Sequence, residues 1–369
     1  GVENVSSVPV ARCLHVSNRL IAAGPDDIGS IKLIAPLDPP PPRRRSSAQR
    51  MHIQRLALSQ LRRFDEAEIR PGTGINLVTG ENGAGKTSVL EALHLMAYGR
   101  SFRGRVRDGL VRNGQQALDV FVEWSESGVE VPRIRRAGLR HGGNDWTGRL
   151  DGVDVQQIGT LCAALAVVTF EPGSHALVSG GSEPRRRFLD WGLFHVEPDF
   201  LMLWRRYARA LKQRNALLKQ GGSPRGLDAW DHELAESGEP LTRRRLAYVE
   251  RLQARAIILA SELAPTLGLE ALDFLPGWRR HDVSLADALL LSRERDRTAG
   301  YTSVGPHRAD WASRFTVIPG RDALSRGQAK LTALVCLLAQ AEDYAEQRGE
   351  WPVIALDDLA SELDRRHQG

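Results

Sequence analysis

Apolar and polar residues alternate from Met51 to Leu58, in the order Met-His-Ile-Gln-Arg-Leu-Ala-Leu, with the two-residue period of a half-buried strand. That run predicts a strand over residues 53–59, and comparable runs predict strands over 66–70, 117–124 and 132–136. Ile75-Asn-Leu-Val-Thr79 is apolar-rich and short enough for a buried strand. Ser88-Val-Leu-Glu-Ala-Leu-His-Leu-Met-Ala97 contains good helix formers and neither Pro nor Gly. From about residue 185 to 295 the pattern turns helical, with helices predicted over 188–194, 199–219, 228–263 and 284–295. Gly221-Gly-Ser-Pro-Arg-Gly226 interrupts that region as a loop. Strand character returns at 309–318, and a long helical pattern follows at Ala329-Lys-Leu-Thr-Ala-Leu-Val-Cys-Leu-Leu-Ala-Gln340. Trp351-Pro-Val-Ile-Ala-Leu-Asp-Asp358 then reads as a buried strand with Pro352 at its entrance, where proline is tolerated. Leu161-Cys-Ala-Ala-Leu-Ala-Val-Val168 reads as an interior segment. No internal repeat occurs, and no heptad run is long enough for a coiled coil. The order predicts an α/β fold whose main lobe is split in sequence around an inserted helical lobe.

The glycine-rich segment between the Ile75 strand and the Ser88 helix has the spacing G-x-x-x-x-G-K-[ST] of a phosphate-binding loop, in the strand–loop–helix context that motif requires. Gly80, Glu81, Asn82, Gly83, Ala84, Gly85, Lys86, Thr87 and Ser88 are therefore the candidate nucleotide-binding residues, for ATP or GTP. The glycines let the backbone approach the phosphates where a Cβ would intrude. Successive N–H groups and the helix N-terminus form an anion nest. Lys86 is placed to reach the β- and γ-phosphates, and Thr87 to put its hydroxyl on Mg²⁺.

Asp357 and Asp358 end the last strand, on the edge of an α/β sheet where ligands bind. Asp357 reads as the metal-linked acid, and Asp358, with Lys86, as the catalytic pair, Asp358 orienting or deprotonating an attacking water. The plainer reading is an acidic cap for Leu359-Ala-Ser-Glu-Leu363. Ser325 in Leu324-Ser-Arg-Gly-Gln328 looks like the N-cap of the long helix, and Gly327 leaves amides accessible in its first turn.

With a phosphate loop upstream and the Asp-Asp strand downstream, Leu324-Ser-Arg-Gly-Gln328 resembles the signature sequence of ABC-type ATPases, and Ser361-Glu-Leu-Asp364 resembles their D-loop. Residues 51–369 more narrowly resemble the RecF family of bacterial recombination mediators, small ABC-type ATPases without long coiled coils. The resemblance rests on Gly99-Arg-Ser-Phe-Arg103, Gly180-Gly-Ser-Glu-Pro-Arg-Arg-Arg-Phe-Leu-Asp190 with Trp191, Leu211-Lys-Gln-Arg-Asn-Ala216 and Gly305-Pro-His-Arg308 with Asp310, besides the nucleotide motifs. It implies an ABC-type P-loop lobe with an inserted helical lobe, ATP and Mg²⁺ as cofactors, and an ATP-dependent homodimer. In that dimer Ser325, Gly327 and Gln328 cover the γ-phosphate held by the opposite protomer. It further implies weak DNA-stimulated ATPase activity, binding to single-strand gaps and single-/double-strand junctions, and help from RecR and RecO in loading recombinase during DNA repair, replication and the SOS response. Asp358 stands where most ABC ATPases carry glutamate, as is usual for RecF-like proteins, which implies slow turnover. Thr169-Phe-Glu-Pro172 occupies the approximate place of the Q-loop without a glutamine, and Leu61-Arg-Arg-Phe64 replaces the family's Phe-Arg-Asn. Alternatives from other classes are the ATPase subunit of a membrane transporter and an ATP-binding DNA module without turnover.

The expected division is a disordered lead-in over 1–50, ending in Pro39-Pro-Pro-Pro-Arg-Arg-Arg-Ser-Ser47, then ATPase lobe over 51–184, helical lobe over 185–295, and ATPase lobe again over 296–369, truncated at its C-terminus. Acidic residues Glu3, Asp26 and Asp27 argue against a presequence in the first 50 residues, and no apolar h-region or membrane-length run occurs. Cys13, Cys162 and Cys336 have no paired spacing, which fits a reducing cytoplasm. The chain carries 50 basic and 45 acidic residues; residues 1–50 hold seven and four of these, which leaves +2 for the remainder. Bulk charge therefore does not indicate nucleic acid, and local clusters are the candidates: Arg103, Arg105, Arg107 and Arg112; Arg133, Arg135, Arg136 and Arg140; and Arg205, Arg206, Arg209, Lys212 and Arg214 beside Trp204 and Tyr207.

Overall fold

The computed structural model describes residues 17–18, 32–37, 49–103, 109–126, 133–142, 145–221 and 224–357. Asp358, the D-loop-like Ser361–Asp364 stretch, Arg105 and Arg107 lie outside the described residues. Two compact units emerge: Gly1–Gly173 with Tyr344–Gly369, and Ser174–Asp343. The signature helix thus groups with the helical unit, whereas the expected boundary at 295 placed it with the phosphate loop.

The first unit begins with β1 (Ser17–Asn18), β2 (Lys32–Leu37) and β3 (Gln49–Arg50). It continues through β4 (His52–Leu61), β5 (Phe64–Ile69), β6 (Ile75–Thr79), α1 (Lys86–Tyr98), β7 (Leu118–Glu126), β8 (Arg133–His141), β9 (Trp146–Leu150), β10 (Val153–Val155), α2 (Ile158–Ala164) and β11 (Val167–Phe170). Strands β10-β9-β8-β7-β4-β5 form an antiparallel sheet. Its inner face follows the two-residue period: Leu56 opposes Val122, Leu58 opposes Val120, and Val120 opposes Leu139, all buried. Helix α1 adds Val89, Ala92, Leu93, Leu95 and Met96 to the same core. The interior run 161–168 resolves into the end of α2 and the start of β11, since an unbroken apolar stretch fits either element.

Within the segment expected to be a disordered lead-in, β2 runs antiparallel to β6, with Lys32 opposite Thr79 and Ile34 opposite Leu77. Lys-Leu-Ile-Ala-Pro-Leu is apolar enough to occupy a free strand edge, a signal the flanking prolines and arginines obscured.

The second unit holds α3 (Ala176–Ser179), α4 (Ser182–Val196), α5 (Phe200–Lys219), α6 (Pro224–Leu263), β12 (Leu269–Leu275), α7 (Leu285–Ala299), β13 (Asp310–Phe315) and α8 (Arg326–Arg348). Strands β12 and β13 pair antiparallel. The chain then returns to the first unit through β14 (Glu350–Trp351) and β15 (Val353–Leu356); β14 pairs in parallel with β3. Among the described residues no helix is long and apolar enough to cross a membrane.

Two of the motifs that carried the resemblance interlock inside the second unit. Arg185 of α4 makes a bidentate ion pair with Asp310, at 2.5 and 3.0 Å, and donates to the carbonyl of Gly180 at 2.9 Å. Asp190 accepts both forks of Arg245 at 2.9 Å, while Arg245 also donates to the Pro306 carbonyl at 2.7 Å. Burial pushes the Asp190 carboxyl above its ordinary range against the pull of Arg245. His307 lies within hydrogen-bond distance of the Tyr207 hydroxyl at 2.7 Å and donates through Nε2 to the Thr302 carbonyl at 2.9 Å.

Burial holds the His307 imidazole down to about 4 and that of His94 in the first unit down to about 3, from an ordinary 6.5. Between 6.5 and those values the unfolded chain binds protons that the folded chain refuses, so this stability is complete above 6.5 and declines as pH falls. Each group changes stability by up to about 1.4 kcal/mol per pH unit in that window. The urea midpoint is expected to drop from pH 7 to pH 5, with a shallower drop in His307→Asn. A variant whose slope matches the parent's would contradict the assignment to His307.

Candidate nucleotide-binding site

Strand β6 delivers the chain into the Gly80–Thr87 loop, and α1 begins at Lys86. Gly85 is the residue that requires its type most clearly. Its φ is 106°, and an added Cβ would lie 2.4 Å from the Phe64 ring. The helix opens on that turn, with Ser88 N–H donating to the Gly85 carbonyl at 2.9 Å. Residues 80–83 are exposed, and Ala84 is buried beneath them. Lys86 Nζ donates to the carbonyls of Gly80 at 2.9 Å and Glu81 at 3.0 Å, so its ammonium arches across the loop.

The second part of the site arrives 270 residues later. Strand β15 lies parallel to β11, Val353 opposite Val167 and Leu356 opposite Phe170. Asp357 N–H donates to the Phe170 carbonyl at 2.8 Å, which fixes the buried Asp357 at the strand end. There its Oδ1 accepts a hydrogen bond from Thr87 Oγ1 at 3.2 Å. A hydroxyl at the first turn of the phosphate-loop helix and a carboxylate at a strand end thus converge, as the sequence reading expected of a magnesium–phosphate site. The hard oxygen donors suit Mg²⁺, which takes few protein ligands and keeps several waters, and no larger cluster of acidic or histidine ligands accompanies them among the described residues.

Two further residues join this site that the motif alone did not reveal. Arg63 donates to the Gly83 carbonyl, and so bears directly on the phosphate loop. Arg62, its neighbour, forks onto Glu91 of α1 at 3.0 and 2.8 Å. Glu91 is fully buried and also accepts from Ser101, which ties Gly99-Arg-Ser-Phe-Arg103 to the same helix. Both arginines sit in the tight turn between β4 and β5, where Arg62 takes a left-handed φ of 55° and the two side chains diverge, one to the helix and one to the loop. In the Q-loop-like stretch, Glu171 accepts from the Gly173 N–H, and Thr169 Oγ1 lies 3.1 Å from His94 Nδ1.

The signature residues belong to the other unit. Ser325 and Gln328 form a reciprocal capping box on α8: Ser325 N–H donates to Gln328 Oε1 at 2.9 Å, and Gln328 N–H donates to Ser325 Oγ at 3.2 Å. Ser325, Arg326 and Gly327 are exposed, and open space lies above Gly327. Gln328 therefore holds the turn, and Ser325 and Gly327 present it.

Residues 52–369 match the family model described as RecF/RecN/SMC N terminal domain. The "DNA replication and repair protein RecF" of Stenotrophomonas maltophilia (strain R551-3) is 78% identical over 319 residues, which is 86% of this chain and 88% of that protein. The chain belongs to the RecF family. A more distant RecF, from Thioalkalivibrio sulfidiphilus (strain HL-EbGR7), is 40% identical over 319 residues, again 86% of this chain and 88% of that protein. The fold agrees with a solved RecF structure, that of "the recombination mediator protein RecF-ATP in RecFOR pathway". It has a TM-score of 0.77 and 25% identity, over 87% of this chain and 88% of that one. Membership of the RecF family takes the place of the transporter alternative.

Proposed function

We propose that the chain is an ATP-gated DNA-binding protein of recombinational repair and replication, working in the cytoplasm. The observation that carries this reading is the meeting of Thr87 and Asp357 at the head of the phosphate loop, across 270 residues of sequence. ATP is the nucleotide named for the solved RecF relative, and DNA replication and repair is the role named for the curated ones. In this reading Gly80–Thr87 binds the triphosphate tail, Lys86 neutralises its β and γ groups, and Arg63 holds the loop from the side. Thr87 and Asp357 are the residues that would hold Mg²⁺, which would supply charge neutralisation between the phosphates.

Two protomers enclose two ATP molecules, each gripped by one subunit's loop and covered by Ser325 and Gly327 of the other. The γ-phosphate is the contact that ADP lacks, and it supplies the free-energy difference that favours the closed dimer. Closure completes a surface for DNA at single-strand gaps and single-/double-strand junctions, with RecR and RecO helping to load recombinase. Hydrolysis aided by Asp358 resets the dimer slowly.

Ser325→Arg tests the enclosure. The exposed turn accommodates the longer side chain, so ATP affinity is expected to stay within about twofold of the parent's, while the ATP-dependent rise to dimer mass in light scattering disappears. A variant that dimerises in ATP as the parent does would overturn the shared pocket.

A further inference from the structure

The three basic clusters of the sequence differ sharply in structure. On the sheet, Arg140 pairs with Asp119 at 3.1 Å, Arg136 with Glu123 at 2.6 Å, and Arg135 with Glu126 at 2.9 Å and Asp151 at 2.6 Å. Arg133 reaches Asp151 at 3.7 Å. That cluster is neutralised by its own strands. Of the cluster near residue 103, Arg112 pairs with Asp65 at 2.9 Å, and Arg103 lies 3.9 Å from Glu91.

The α5 cluster divides in two. Tyr207, Ala210, Arg214 and Leu218 form its buried stripe, and Arg214 is consumed by ion pairs to Asp231 and Asp296. On the opposite side Arg205, Arg209 and Lys212 are exposed, and neither Arg209 nor Lys212 makes an ion pair among the described residues. Arg205 and Arg209 line a groove of about 350 Å³ between α5 and α6, together with Met202, Arg206, Trp230 and Glu233, and Lys212 follows Arg209 one turn further along α5. Met202 is 71% exposed, which is costly for a large apolar side chain without a partner. Arg206 forks onto Glu233 at 2.6 and 2.8 Å, which offsets that acid's charge and pulls its carboxyl below the ordinary range.

We infer that this α5–α6 groove binds one strand of nucleic acid, with phosphates on Arg205, Arg209 and Lys212 and a base against Trp230 and Met202. From Arg205 to Lys212 the helix rises about 10 Å, which spans two neighbouring phosphates of an extended strand. A cationic row beside an indole and a thioether is the combination that tracks a backbone and stacks a base without reading sequence. An acidic protein segment would use the same charges but has no need of the apolar floor. The inference rests on the DNA-binding reading above and assigns it a surface.

The test uses the full chain with ATP and a fluorescein-labelled oligo-dT, across a salt series. Arg209→Ala with Lys212→Ala is expected to weaken binding at least tenfold and to flatten the slope of log affinity against log salt by about 1.4. Trp230→Leu is expected to weaken oligo-dT binding about tenfold while leaving that slope unchanged. ATP binding and the melting temperature should be kept by the double variant, whose side chains are exposed. Parent-like affinity and slope in the double variant would overturn the assignment of the groove. So would loss of binding to a poly-glutamate probe with oligo-dT binding intact, which would assign the groove to an acidic protein. A parent chain that fails to bind any DNA would sink the functional reading itself.

Discussion

Lys86→Met is expected to abolish ATP binding while leaving the fold intact. The ammonium lies over the phosphate loop on two carbonyls, at 2.9 and 3.0 Å, and is the one lysine among the loop residues Gly80–Thr87. A methionine keeps the length and the apolar stem but donates nothing and carries no charge. Losing two charge-assisted hydrogen bonds to a triphosphate removes about 3 kcal/mol or more, over 100-fold in affinity. Saturating ATP should raise the parent's melting temperature, by mass action worth about 2.7 kcal/mol at a hundredfold excess over Kd. The variant should melt with and without ATP as the parent does without it. A Lys86→Met protein that keeps ATP affinity within tenfold would remove Lys86 from the site.

The second large effect is on stability. Arg214→Ala is expected to cost about 3–5 kcal/mol, because it leaves the fully buried Asp296 without its counter-ion and Asp231 with Arg293 alone. Arg214 donates to Asp231 at 2.5 Å, Asp296 at 2.7 Å and Thr302 at 3.0 Å, and both Arg214 and Asp296 are fully buried. The guanidinium joins α5, α6, α7 and the Thr302 turn in one plane. Arg214→Lys should rescue little of the loss, since a single ammonium cannot aim at three acceptors in that geometry. Urea denaturation followed by helical circular dichroism measures the cost, and a loss under about 1 kcal/mol would show that the network is not what holds these helices together.

The phosphate loop and the Asp357 strand were legible because each needs only local pattern: glycine spacing in the first, a short apolar run ending in acid in the second. Their meeting was inferred from order alone and appears as the Thr87–Asp357 hydrogen bond. The α5 cluster was misread where residue type outweighed period. Tyr207, Ala210, Arg214 and Leu218 fall at helical spacing on one buried stripe, so the period already set Arg214 apart from Arg205 and Arg209. Its partner Asp296 lies 82 residues away, and no local pattern names it. Tyr207 likewise turned inward to His307 rather than outward to a ligand. Trp204 does not line the groove, and Trp230, unremarked in the sequence, is its indole. Strands β9 and β10 were missed for a related reason: Trp146–Leu150 and Val153–Val155 are too short and too polar to stand out beside the longer β8 on which they build.

Nucleotide-gated DNA binding is tested most directly by titrating gapped duplex DNA with the chain at fixed salt, in ATP, in ADP and without nucleotide, and reading anisotropy. Affinity at least tenfold higher in ATP than in either other condition, abolished together by Lys86→Met and Ser325→Arg, is the expected result. Equal affinity in all three conditions would contradict the account, however tightly the protein holds ATP.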